Sequence, residues 1–126
     1  MRMRLWSVLL AVALSLGAQE RDISVVRVQR KLALVIGNAA YPQSPLKDPV
    51  NDAVAMAGVL RRLGFEVTEG RDLGRQQMEE AVDRFAGRVQ AGDLALFYYA
   101  GHGAQWQQEN YLIPVDFQAT SAADLK

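Results

Sequence analysis

The sequence has 126 residues, enough for one compact domain and too few for two. Half of the residues are hydrophobic and 22% are charged, which excludes a disordered or collagen-like chain. Fourteen Lys and Arg balance fourteen Asp and Glu, which argues against a nucleic-acid-binding surface; with no cysteine, disulfides, Cys-ligated zinc and a thiol nucleophile within these residues are excluded.

At the amino end, Arg2 and Arg4 precede an apolar run from Leu5 to Leu16 that only Ser7 and Ser15 interrupt. This pattern predicts a secretory signal peptide over residues 1–18, with small residues at Ser15, Gly17 and Ala18 offering cleavage points. The run is too short to cross a hydrocarbon core of about 30 Å comfortably, so no stable membrane span is expected after cleavage. The expected location is secreted or periplasmic, with an uncleaved amino-terminal anchor as the alternative. Loss of Arg2 and Arg4 with the leader leaves acidic side chains in slight excess. Residues 19–30 are polar with interspersed Ile23, Val25, Val26 and Val28, a pattern that fits a linker or an edge strand.

Lys31 to Gly37 is a continuous apolar run ending at glycine, as expected for a strand covered on both faces. A proline-punctuated loop follows from Asn38 to Lys47. Asp48 and Pro49 predict an N-cap and a first helical position, and Val50, Val54, Ala57, Leu60 and Leu63 recur at helical spacing until Gly64. Phe65 to Thr68 predicts a second strand, and Glu69 to Gly74 a loop. Met78, Val82, Phe85, Ala86 and Val89 mark the inner face of a second helix, where Met and Phe are expected in the core. Asp93 to Ala100 predicts a third, fully buried strand. Strand and helix alternating over short connections give an α/β fold: a parallel sheet with right-handed crossovers placing helices on its faces.

In such a sheet, chemistry gathers beyond the carboxyl ends of the strands, here Asn38 onward and Gly101 onward. The second place holds the chain's one histidine, in Gly101-His102-Gly103. The flanking glycines leave the imidazole unshielded and let backbone N–H groups approach a substrate, and a histidine side chain suits proton transfer near neutral pH. The residues alone leave open a tight turn whose imidazole hydrogen-bonds the backbone.

Four segments in order resemble the caspase-like cysteine peptidases, in particular their bacterial metacaspase-like branch: LALVIGNAAY, LKDPVNDAVAMAGVLRRLGFEV, DLALFYYAGHG and NYLIPVD. The resemblance covers residues 31–126 and implies a three-layer α/β/α caspase-like fold, with the first strand between the second and third. It implies a Cys–His dyad acting on a peptide or protein substrate, with His102 as the catalytic histidine and Gly103 supplying an oxyanion N–H. The family's cysteine follows a fourth strand downstream of NYLIPVD, and the sequence reaches Lys126 without one. The expectation is therefore a truncated domain, the amino-terminal part of a cysteine endopeptidase and inert alone. A non-catalytic, partner-binding scaffold is the alternative. Without the fourth strand, Leu94 to Tyr99 is expected to present an open apolar edge prone to self-association.

Metacaspase-like members resemble one another in preferring Arg or Lys before the cut. Asp52 matches the position of one of their pocket acids, although a first-turn acid is also favoured by the helix dipole alone. Trp106, in the glutamine-rich stretch Gln105 to Gln108, is expected in an exposed loop near His102 as a candidate substrate contact. Tyr98 and Tyr99 are expected to pack in the sheet. No nucleotide-binding or zinc-peptidase pattern is present, and no cofactor is expected from these residues. The calcium dependence of some relatives involves positions beyond the matched segments.

Overall fold

The computed structural model describes residues 5–15, as backbone only, and 27–118. Its elements in chain order are β1 (Leu5–Ser15), β2 (Lys31–Gly37), α1 (Pro49–Arg62), β3 (Glu66–Arg71), α2 (Arg75–Arg88), β4 (Leu94–Trp106) and β5 (Glu109–Leu112). They form one sheet in the order β1-β4-β2-β3, with β5 joined to β4. β2 runs parallel to both β3 and β4 and sits between them.

Alternation along β2 and β4 builds the three layers, because successive strand residues point to opposite faces. Ala33 and Val35 of β2, with Tyr98 and Ala100 of β4, pack against Ala53, Ala57 and Leu60 of α1. Leu34, Ile36 and Tyr99 face the other way, against Met78 of α2. The sheet centre is dry: Leu32 to Ile36 are all at most 1% exposed.

α1 buries Ala57 and Leu60 as expected but differs from expectation at the other positions of its inward face. Val54 and Leu63 are exposed, and the buried positions are Pro49, Ala53, Ala57 and Leu60. Close approach selects the first two: a Cβ on Gly37 would lie 2.5 Å from the Pro49 carbonyl oxygen and 2.7 Å from the Ala53 Cβ. The Asp48 carboxylate, expected to cap the helix, makes no capping hydrogen bond. Gly64 ends α1 as expected, at φ +86°, a conformation costly for side-chain-bearing residues. In α2 only Met78 is buried, and Val82 is exposed.

β3 runs on to Arg71, past the expected end at Thr68. β4 extends further beyond its expected end at Ala100, continuing to Trp106 because β5 returns antiparallel to it, with Gly103 opposite Leu112 and Trp106 opposite Glu109. Gln107 and Gln108, both at positive φ, make the two-residue turn of this hairpin. The edge of β4 expected to be open carries β1 instead, antiparallel from Ser15 opposite Leu94 to Leu5 opposite Ala104. The rest of the expected leader, residues 1–4 and 16–18, lies outside the described residues, as do residues 19–26 of the expected linker. No described helix is long and apolar enough to cross a membrane.

The amino ends of β2 and β4 are tied together. Arg30 Nη2 and Nε donate to Asp93 Oδ2 and Oδ1 at 2.6 and 3.2 Å, and Gln90 N–H donates to Asp93 Oδ2 at 2.9 Å. Gln29 N–H to Gly92 O and Leu94 N–H to Arg30 O complete the tie.

Candidate active site

His102 sits inside the strand extension of β4, not in a free turn, at the carboxyl end of the parallel sheet. Its Nε2 lies 2.7 Å from the carbonyl oxygen of Ser44 in the β2–α1 loop. A carbonyl can only accept, so Nε2 carries the proton; in the neutral ring the lone pair is then on Nδ1. The ring also packs on Tyr41, with centroids 4.4 Å apart and planes inclined by 58°. The imidazole is therefore oriented by one loop.

That loop is held from beneath. Asp72, at φ 50° after β3, accepts from the N–H groups of Ala39 and Ala40 through Oδ1, each at 2.9 Å. Buried Asn38 pairs with the backbone of Leu73, accepting from its N–H at 2.9 Å and donating to its carbonyl at 3.3 Å. Leu46 N–H closes the loop onto Ala39 O at 2.9 Å. Asn38, Tyr41, Ser44 and Asp72 were not singled out as site residues by sequence, because each acts through contacts more than thirty positions away.

The backbone of His102 is held as well. Its N–H donates to Tyr41 Oη at 3.0 Å, and its carbonyl accepts from Tyr99 Oη at 2.8 Å and from Ile113 N–H at 3.0 Å. Since the C=O and N–H of one trans peptide point in opposite directions, the N–H of Gly103, in the same peptide group as the His102 carbonyl, is directed to the other side, along which β1 runs with Trp6 opposite Gly103.

Trp106 is not in a free loop. It ends β4 and packs, partly buried, against Tyr41, Ala104 and Ile113. Tyr98 and Tyr99 pack on opposite faces of the sheet as expected, but Tyr99 also reaches the site through its phenol. Asp52 is an exposed first-turn acid of α1, and its charge, after burial, helps push the Tyr98 phenol up. A groove of about 830 Å³ runs between α2 and residues 111–118, past Met78, Val82, Tyr111 and Phe117, and His102 is not among its walls.

A family profile for the caspase domain matches residues 30–125. The chain belongs to the caspase-domain family. Mucosa-associated lymphoid tissue lymphoma translocation protein 1 of Homo sapiens is 40% identical over 87 residues, covering 68% of this chain and 11% of that protein. Its Mus musculus homolog is 40% identical over 87 residues, covering 68% of this chain and 10% of that protein. The chain thus spans about a tenth of the length of these curated relatives. The caspase-domain match begins at Arg30, the residue that ties the amino ends of β2 and β4 together.

Proposed function

We propose that this caspase domain is the histidine-bearing part of a metacaspase-like cysteine endopeptidase that is exported behind a cleaved leader and prefers Arg or Lys before the cut. The observation that carries the proposal is the Nε2 contact to Ser44 O, which leaves Nδ1 as the base. None of the 126 residues is a cysteine, so the thiol comes from further polypeptide and these residues alone are inert. In the reaction, Nδ1 takes the thiol proton, and the thiolate forms a C–S bond to the scissile carbonyl. The imidazolium then protonates the departing amine as the C–N bond breaks, and water hydrolyses the thioester. Negative charge on the carbonyl oxygen is met by the Gly103 N–H. That N–H faces the edge along which β1 runs, so loss of the leader exposes it to substrate and opens the same edge to a second copy. Asp52 recognises the basic side chain before the cut.

A second reading is a non-catalytic caspase-like scaffold that binds partners through the β4 edge along which β1 runs. A peptidase assay separates the two. It uses the longest polypeptide encoded by the reading frame and fluorogenic peptides with Arg, Lys or Asp before the bond. The expected result is cleavage after Arg and Lys, reduced about 10²- to 10⁴-fold by His102→Ala and abolished by thiol alkylation. Asp52→Ala weakens cleavage after Arg with little change in melting temperature. No thiol-dependent turnover on any of these peptides would leave the scaffold reading.

A further inference from the structure

Two buried phenols meet behind the histidine. Tyr41 Oη and Tyr99 Oη lie 3.0 Å apart, and both reach the Ile113 carbonyl, at 2.8 and 2.9 Å. Each has one proton to give. Donation from Tyr41 to Ile113 O and from Tyr99 to His102 O satisfies both carbonyls, and the Tyr41 oxygen still accepts the His102 N–H. Burial raises both phenols above the ordinary tyrosine range, so they remain donors at neutral pH. Gly101 is required beside them: a Cβ there would lie 2.5 Å from Tyr99 Oη and 2.8 Å from Tyr41 Oη.

The geometry assigns Tyr41 and Tyr99 as positioning residues for His102, holding its peptide group while Ser44 and the Tyr41 ring hold its imidazole. This rests on reading His102 as the base. The backbone clamp fixes where the Cα–Cβ bond starts, and the Ser44 carbonyl with the tilted Tyr41 ring fixes where the side chain ends. Tyr41 and Ser44 belong to one loop, so His102 is held by that loop at its N–H, its ring face and its Nε2. Tyr41 contributes to two of these contacts. Tyr99 contributes one hydrogen bond to a carbonyl that Ile113 N–H also serves, so its loss should matter less.

The chain has one histidine, so its ring signals need no assignment among others. The experiment measures, by ¹⁵N NMR of the full chain, hydrogen exchange of the His102 amide and Nε2–H. The variants are Tyr41→Phe, Tyr99→Phe and, as a control on the α1 face, Leu60→Val, with core amides of β2 reporting global stability. Tyr41→Phe keeps the ring and removes only the oxygen. The expected result is exchange at both His102 sites about tenfold faster in Tyr41→Phe, beyond any change in core amides, as loss of a single hydrogen bond would give. A smaller rise is expected in Tyr99→Phe and none in Leu60→Val. Exchange at His102 that rises only in step with the core amides would overturn the assignment. So would a Tyr41→Phe chain that no longer folds, since the phenols would then support the sheet rather than the imidazole. Neither reading depends on turnover, so failure of the peptidase proposal would be seen separately.

Discussion

The two ends of the parallel sheet are fastened by different chemistry. At the amino ends of β2 and β4 the tie is ionic: the Asp93 carboxylate, whose side chain is fully buried, is gripped by Arg30, which is 37% exposed. At the carboxyl ends the peptide group of His102 is fastened by neutral partners, two phenols and the backbone of Ile113. The difference suits their tasks. A charged tie responds to pH and only has to keep strands in register, whereas neutral donors keep their protons over the range in which a histidine gains and loses one.

The sharpest way to break the carboxyl end without touching the imidazole is Gly101→Ala. The added methyl meets both phenol oxygens inside contact distance, and overpacking of this kind costs about 1–3 kcal/mol. Chemical denaturation should show that loss, and the His102 Nε2–H should exchange faster than in the parent chain. Unchanged stability would mean that the phenols are free to move aside.

A smaller effect is expected at the amino end. The hydrogen bonds from Arg30, then that from the Gln90 N–H, hold the Asp93 carboxyl below the ordinary carboxylate range. The stability it adds is therefore present above the unfolded value of about 3.9 and is lost as pH falls through the lower folded value. Asp93→Asn should lower the melting temperature at neutral pH and make no difference once the carboxyl is protonated. The ring signals of His102 should not move. An Asp93→Asn penalty that persists undiminished in acid would show that hydrogen-bond geometry rather than charge fastens this end.

The same contrast explains what was legible in the sequence. The layer order could be read because residues 32–36 of β2 and 94–100 of β4 are continuous hydrophobic runs and the helices between them are periodic. His102 stood out because it is the chain's one histidine and sits between two glycines at the carboxyl end of an apolar run. On α1 Ala57 and Leu60 are buried as expected, but Gly37 demands a close helix and selects Ala53 for the core in place of the more hydrophobic Val54. The length of β4 was hidden because Gly101 and Gly103 weaken strand propensity, and pairing with β1 and β5 carries the strand past them. Trp106 was placed in a loop for the same reason. The supports of the site lay beyond local pattern: nothing near Tyr41 announces that its oxygen will receive a hydrogen bond from a residue 61 positions away.

The central claim is that the imidazole's Nε2 proton is committed to the Ser44 carbonyl while Nδ1 is held ready as a base. The direct measurement is the ¹⁵N spectrum of the single histidine in the unmodified chain, recorded where the ring is neutral. The account predicts one tautomer, protonated at Nε2, with a ring proton that exchanges slowly with water. A ring protonated at Nδ1, or a rapidly exchanging mixture of the two forms, would contradict it.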